Sequence, residues 1–280
     1  MAIRDDHTIQ GADAAAWDAI ARGYDEVVTP SHLWLGHEGL QRAGLRAGMR
    51  FLDVAAGSGG LSIPAARIGA RVLAVDRSPA MLELLRARAR VEAVTVETEA
   101  MDGHALALPD ASFDMAGSQF GVMLFPDMPR GIREMARVVK PGGRVLVLAY
   151  GDPGRIEFLV FLVRALQSVR PGFALPDDPP PLPLQLRDPE RLRRELAAAG
   201  LGAIDVDTVV EPMRFETGQA LWRWLVSSNP IVESVLGGLN VTERERGVVQ
   251  EALERLVRER AGGQAAAEIT APVNIGIGTK

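Results

Sequence analysis

The sequence contains no cysteine among its 280 residues. This absence excludes disulfide bonds, thiolate metal ligands and every mechanism that uses a cysteine nucleophile. No uninterrupted apolar run approaches the roughly 18 residues that a membrane-spanning helix needs. Residues 1–6 also lack the apolar segment of a secretory signal. We therefore expect a cytoplasmic protein that is not inserted in a membrane.

An excess of positive charge is also missing. The chain has 31 Lys and Arg against 36 Asp and Glu, which gives a formal net charge of −5. Because no overall positive field attracts a phosphate backbone, we expect no nucleic-acid partner. The four histidines, His7, His32, His37 and His104, do not cluster with acids at the intervals typical of metal ligands. We therefore expect no metal site.

What the sequence does contain is a repeated alternation of strands and helices between residues 50 and 150. Hydrophobicity patterns predict strands at 50–55, 71–75, 93–98, 113–118 and 144–149, and helices at 59–69, 79–90 and 128–138. Ser78-Pro79 is a typical helix start, because a capping hydroxyl precedes a proline at the first helical position. Such alternation indicates a Rossmann-like, doubly wound α/β fold with a mostly parallel sheet.

The segments outside this region predict additions to the sheet. Apolar residues spaced three and four apart predict a helix over 12–28, which could serve as a lid. After residue 150 we predict a helix at 155–169, a proline-dense surface loop at 171–183, a helix from 189 to 200, a strand at 203–210, a helix at 242–260 and a closing antiparallel strand at 272–279. We interpret residues 1–280 as one domain, with a lid (1–45), a nucleotide-binding core (46–150), cap segments (151–187 and 212–262) and segments that complete the core (188–211 and 263–280).

The most informative segment is residues 51–60, in which a short apolar run ends in Asp53 and then breaks into small residues. A buried strand followed by a glycine turn and a helix is typical of a nucleotide-binding corner. Gly57 and Gly59 lack a Cβ, so the backbone can take positive φ values and a ligand can lie directly against it.

Two kinds of nucleotide are compatible with this corner. Ala55, Gly57 and Gly60, with Asp76 nineteen residues beyond Gly57, nearly match the G-x-G-x-x-G pattern of dinucleotide sites. Asp53, however, would face the two negative charges of a pyrophosphate. A phosphate-free ligand with a cationic amino group suits that carboxylate better.

Residues 53–59, DVAAGSG, resemble the first motif of the class I S-adenosylmethionine-dependent methyltransferases, with Ala55 where many members have glycine. The resemblance extends from about residue 17 to residue 150. Three further segments match later family motifs in order: 101–114, 118–127 and 133–143. The subgroup that the chain most resembles contains ubiquinone- and menaquinone-biosynthesis methyltransferases and many natural-product enzymes.

The resemblance implies a cofactor, S-adenosyl-L-methionine, and its product S-adenosyl-L-homocysteine. In the family, the residue that matches Asp76 accepts both ribose hydroxyls, the one that matches Asp102 accepts the adenine amino group, and a tyrosine matching Tyr24 closes over the methionine end. The candidate cofactor residues are Tyr24, Asp53, Ala55, Gly57, Gly59, Asp76, Arg77, Met81, Met101, Asp102, Gly103, Ser118, Gln119 and Phe120. As alternatives, Asp102 is an ordinary turn residue and Tyr24 a core aromatic.

The resemblance also implies in-line transfer of a methyl group to O, N or C of an acceptor. The apolar cap segments favour a small, partly hydrophobic acceptor such as a quinone, a polyketide or another secondary metabolite. His32, His37 and Tyr24 are the candidates for a base, and the sequence does not choose among them. A homodimer is compatible with the sequence.

Two other functions stay open. One is an NAD(P)-dependent Rossmann oxidoreductase, because the glycine corner nearly matches the dinucleotide pattern. The other is a protein that binds S-adenosylmethionine without turnover. Binding of NADH instead of S-adenosylhomocysteine would indicate the first, and binding without transfer of a methyl label would indicate the second.

Overall fold

A computed structural model describes residues 13–280; His7 and the first residue of the predicted N-terminal helix lie outside this range. Seven strands form one sheet: β1 Arg50–Val54, β2 Arg71–Asp76, β3 Val96–Ala100, β4 Phe113–Gln119, β5 Val139–Tyr150, β6 Gly202–Phe215 and β7 Ala267–Thr279. Their order is β3-β2-β1-β4-β5-β7-β6. Strands β1 to β5 pair in parallel, whereas β7 is antiparallel to both β5 and β6. The predicted fold class, with its antiparallel last strand, is confirmed.

Ten α-helices accompany the sheet within the described residues: α1 Ala14–Gly23, α2 Thr29–Arg42, α3 Ser62–Ile68, α4 Pro79–Val91, α5 Met128–Val138, α6 Glu157–Gln167, α7 Pro189–Ala198, α8 Gly218–Ser228, α9 Pro230–Gly238 and α10 Glu243–Ala261. Each helix in residues 13–280 is too short or too polar to span a bilayer. The predicted cap of α4 is present, because the Ser78 hydroxyl accepts a hydrogen bond from the Met81 N–H at 3.1 Å.

Several predicted boundaries were wrong. The N-terminal helix does not end at residue 28 but passes through a π-helical turn, Tyr24–Val28, into α2. Pro30 does not stop it, since proline is tolerated in the first turn of a helix. Strand β3 starts at Val96 instead of residue 93, because Ala93 has a φ of 54° in the preceding turn. Helices α8 and α9 lie in the predicted cap segment 212–262, in which only the helix at 242–260 was predicted individually.

The ladder between β6 and β7 continues beyond the end of β5. Tyr150, the last residue of β5, pairs with Val273, while the β6–β7 pairing runs on to Phe215 and Ala267. This two-stranded extension carries the second of the two main apolar clusters, which α6, α8, α9 and α10 complete. The extension therefore supports a helical cap beyond the carboxyl ends of the parallel strands.

Glu211 lies on this extension and faces the same side of β6 as Met213 and Phe215, which belong to the second cluster. Its side chain is fully buried, and neither carboxylate oxygen has a hydrogen-bond partner within residues 13–280. Burial raises the pKa of Glu211 from 4.5 to about 8, because the charged form is poorly solvated there. Glu211 is therefore protonated in the folded protein at neutral pH.

Glu211→Gln should change how stability depends on pH. Between pH 4.5 and 8 the unfolded chain releases the Glu211 proton and the folded chain keeps it, so the wild type should lose stability as pH rises through this window. The neutral glutamine should remove that loss, so the stability difference between variant and wild type should shift by roughly 3 to 4 kcal/mol in favour of the variant between pH 5 and pH 8. Urea unfolding at pH 5, 6, 7 and 8 measures the difference.

Glu216→Gln is the matched control, since Glu216 is exposed just after β6. Its stability should follow the wild type at each pH. Parallel pH curves for the wild type and Glu211→Gln would contradict the buried, protonated carboxyl.

Candidate active site

A cavity of about 870 Å³ opens at the carboxyl ends of the parallel strands, where the strand order reverses between β1 and β4. Open α/β sheets bind ligands at such a switch point. Most of the predicted cofactor residues line this cavity: Tyr24, Ala55, Gly57, Asp76, Arg77, Met81, Met101, Asp102, Gly103, Gln119 and Phe120. We call it the nucleotide cavity.

Gly57 and Gly59 have different surroundings in the turn after β1. Both have positive φ values, 53° and 107°. A Cβ on Gly57 would have the Tyr24 ring at 3.8 Å as its nearest neighbour, so this position faces the cavity. A Cβ on Gly59 would lie 2.4 Å from Leu85 Cδ1 on α4. Gly59 therefore allows close packing of the turn and does not line the nucleotide cavity.

Asp76, the last residue of β2, connects the glycine turn to α4. Its Oδ2 accepts a hydrogen bond from the Gly57 N–H at 2.8 Å, and its Oδ1 accepts one from the Ser78 N–H at 2.9 Å. Burial nevertheless raises the pKa of Asp76, because it outweighs these two bonds. A carboxylate oxygen can accept two hydrogen bonds, so each oxygen keeps capacity for a ligand hydroxyl.

Asp102 lies at the other end of the nucleotide cavity, beyond β3. Its Oδ1 accepts hydrogen bonds from the backbone N–H and the ring Nδ1 of His104, at 2.9 and 2.8 Å. Burial opposes ionisation of Asp102, but these bonds outweigh it and lower its pKa. Within residues 13–280 Oδ2 has no partner, so it is available to a ligand donor. The His104 ring stacks on Phe125, with 4.4 Å between centroids.

A smaller cavity of about 310 Å³ adjoins the glycine turn and contains two acceptors without donors. Asp53 is buried; its Oδ2 accepts from the Ser62 hydroxyl, whereas Oδ1 has no partner in the described part of the chain. Burial raises the pKa of Asp53 to about 7. Gln119 donates Nε2 to the His32 carbonyl at 3.0 Å, which directs its unpartnered Oε1 elsewhere. Two such acceptors are complementary to a cationic N–H group.

The three candidate bases lie in different places. His32 is buried beside the small cavity, and desolvation lowers its pKa to about 4. Tyr24 borders both cavities, and burial raises its pKa, with a further contribution from Asp76. His37 is exposed on the outer surface beside Trp34 and Arg67, away from the cavities. Only His32 and Tyr24 are therefore positioned to contact a ligand.

A third cavity of about 1420 Å³ lies under the cap, and its walls are mostly apolar. We call it the apolar cavity. It is bordered by α6, by the proline-rich loop through Pro176, Pro181 and Pro183, and by α8 and α9. It shares Trp17, Tyr24, Phe120, Leu124, Asn229 and Ile231 with the nucleotide cavity. The two cavities are therefore adjacent.

Some of the predicted cofactor residues do not line the nucleotide cavity, and some residues that line it were not predicted. Ser118 is fully buried and accepts a hydrogen bond from the Val122 N–H, outside the nucleotide cavity. Phe125, Leu182, Asn229 and Ile231 line that cavity but were not predicted. Phe125 follows a predicted strand, so its position in the sequence could have identified it. The other three residues come from distant segments.

No group of three His, Asp or Glu residues in 13–280 is arranged to hold a metal ion.

Comparisons with known proteins agree with this architecture. A family model described as a methyltransferase domain matches residues 52–147. A Mycobacterium tuberculosis protein of uncharacterized function is 33% identical over 241 residues, which cover 82% of each chain. The demethylmenaquinone methyltransferase of Mycobacterium sp. strain KMS is 34% identical over 167 residues, which cover 58% of this chain and 69% of that enzyme.

A solved structure shares the fold. Phosphoethanolamine N-methyltransferase 2 of Haemonchus contortus, in complex with phosphomonomethylethanolamine and S-adenosylhomocysteine, superposes with a TM-score of 0.52 at 20% identity, over 88% of this chain and 52% of that one. The family match, the sequence relative and the geometry lead to one assignment. The chain belongs to the class I S-adenosylmethionine-dependent methyltransferases, and S-adenosylmethionine is its cofactor.

Proposed function

We propose that the protein methylates a small, partly apolar molecule by in-line displacement, with the cofactor in the nucleotide cavity and the acceptor in the apolar cavity. The observation that carries the cofactor placement is the pair of unpartnered acceptors, Asp53 Oδ1 and Gln119 Oε1, in the small cavity beside Gly57. They would accept hydrogen bonds from the ammonium group of the methionine part. A pyrophosphate would instead be repelled by Asp53.

The remaining contacts follow the length of the nucleotide cavity. Asp76 would accept the ribose hydroxyls with the capacity that its bonds to Gly57 and Ser78 leave. Asp102 Oδ2 would accept the adenine amino group. Met81, which is almost fully buried and borders the cavity, would pack against the adenine ring.

When bound, S-adenosylmethionine supplies a methyl group on a positively charged sulfonium. The task of the protein is to hold the acceptor in line with that methyl group and to exclude water. Such alignment is worth roughly 7 to 11 kcal/mol in favourable cases. Tyr24 and Phe120 border both large cavities, so they lie where the two ligands would meet.

The walls of the apolar cavity support an apolar acceptor. Phe158, Leu162 and Trp224 are buried side chains of α6 and α8 that line it. Similarity to a demethylmenaquinone methyltransferase supports a quinone or another flat secondary metabolite.

Cofactor choice and turnover can be measured together. In titration calorimetry, we expect S-adenosylhomocysteine to bind and NADH to give no signal, because Asp53 opposes a pyrophosphate. With S-adenosylmethionine and a metabolite extract, mass spectrometry should show a compound that gains one methyl group. NADH binding would favour the oxidoreductase, and cofactor binding without any methylated product would favour the non-catalytic protein.

Asp76→Ala should lower the affinity for S-adenosylhomocysteine at least tenfold, because two hydrogen bonds to a charged group are lost. Calorimetry gives the affinity. Glu97→Ala is the control, since Glu97 is exposed on neighbouring β3 and should bind like the wild type. Unchanged affinity in Asp76→Ala would contradict the ribose contact.

Tyr24→Phe should weaken cofactor binding or slow methyl transfer while the protein stays folded. The Tyr24 hydroxyl makes no hydrogen bond within residues 13–280 that its removal would break, and the ring keeps its edge contact with Trp17. Thermal unfolding monitors the fold, and steady-state kinetics monitors KM and kcat. Kinetics equal to those of the wild type would rule out a role for the hydroxyl at the site.

A further inference from the structure

Two residues that line the apolar cavity each have a buried polar atom without a partner among residues 13–280: His32 Nε2 and Trp224 Nε1. The two residues are only 4% and 3% exposed. Buried polar atoms in native proteins are nearly always hydrogen-bonded, so each exception needs an explanation. Here the two exceptions border the same cavity, and their rings are 6.5 Å apart between centroids.

The two atoms have complementary roles. An indole Nε1–H can only donate. His32 is neutral near pH 7, since burial lowers its pKa to about 4. In the tautomer with the proton on Nδ1, its Nε2 can only accept. With that tautomer, a ligand atom between the two nitrogens must accept one hydrogen bond and donate another.

One hydroxyl group meets this requirement. Two hydrogen bonds of about 2.8–2.9 Å that meet at one oxygen at the tetrahedral angle join nitrogens about 4.7 Å apart. This separation is compatible with two rings whose centroids are 6.5 Å apart. The oxygen has a second lone pair, which stays free to attack a methyl group while the first accepts from Trp224. The single lone pair of an amine cannot do both.

We propose that the acceptor is a hydroxyl group on a flat apolar molecule, held between Trp224 Nε1 and His32 Nε2, and that His32 removes its proton. This inference rests on the proposed function, because it places the acceptor in the apolar cavity. A new O–C bond forms as the C–S bond of the sulfonium breaks, and the sulfur keeps that electron pair. The hydroxyl proton moves to His32 Nε2 and then to water.

The surrounding rings favour a flat molecule. His32, Phe120, Tyr150, Phe158 and Trp224 form a closed circuit of aromatic neighbours, with centroid distances of 4.8, 4.4, 5.5, 4.9 and 6.5 Å in turn. Aromatic side chains bind planar apolar ligands by stacking and edge contacts. A cationic amine would be poorly solvated among them without a charged partner.

Binding of simple probes to the protein saturated with S-adenosylhomocysteine tests the proposal. By calorimetry, we expect 1-naphthol to bind about tenfold more tightly than naphthalene or 1-naphthylamine. Trp224→Phe and His32→Leu should each weaken 1-naphthol binding about fivefold, the effect of one net hydrogen bond, and leave naphthalene binding unchanged. Unchanged naphthalene binding also shows that the cavity is intact.

The chain supplies matched controls. Trp222→Phe on α8 and His37→Leu on α2 change the same residue types outside the apolar cavity, so both should retain the preference for 1-naphthol. With S-adenosylmethionine, the wild type should form 1-methoxynaphthalene, and His32→Leu should form it at least a hundredfold more slowly at saturating 1-naphthol.

The outcomes separate this inference from the proposed function. If S-adenosylhomocysteine binds but 1-naphthol shows no advantage over naphthalene, or neither probe binds, the hydroxyl site is overturned and the cofactor site stands. Methylation of 1-naphthylamine in preference to 1-naphthol also overturns it. If S-adenosylhomocysteine itself does not bind, the proposed function fails. If one variant does not fold, 1-naphthol binding by the other variant still tests the role of the nitrogen that its substitution removes.

Discussion

The carboxylate of Asp76 connects the elements around the nucleotide cavity. It accepts hydrogen bonds from Gly57 in the glycine turn and from Ser78 at the start of α4. The Ser78 hydroxyl accepts from Met81 and donates to Asp18 of α1 at 2.5 Å. The turn, the second strand, helix α4 and the N-terminal helix therefore meet through one short network. These bonds hold the Asp76 carboxylate in place at the wall of the nucleotide cavity.

A second feature of the molecule is a set of buried polar atoms without hydrogen-bond partners. Asp53, Gln119, His32, Trp224 and Glu211 all keep buried polar atoms without partners in the described residues. Each such atom costs about 1–3 kcal/mol relative to a satisfied one. Four of these residues border the cavities. The free-energy cost of unpartnered polar atoms is thus concentrated at residues that border the cavities, as is common at binding sites.

Local signals predicted those parts of the fold that depend on neighbouring residues. Helix α5 spans 128–138 as predicted, and the capping box at Thr242 and Glu245 starts α10. Ser78-Pro79 starts α4 for the same reason: caps involve groups within one turn. The continuation past Pro30 into α2 was missed, because packing against the core decided it. The length of β6 was missed as well, since a strand can extend wherever a partner strand is available.

The family, the order of the seven strands along the chain and most of the residues around the nucleotide cavity could be predicted from the sequence. These depend on residues close together in the chain, on both sides of strand ends that a parallel sheet brings to one edge. The three-dimensional structure was needed to show that His32 is buried between cavities while His37 is exposed, and that Trp224 and not Trp222 lines the apolar cavity. The apolar cavity combines segments that are more than 200 residues apart, since both Trp17 and Gly238 line it. Their meeting depends on long-range packing that no local pattern encodes.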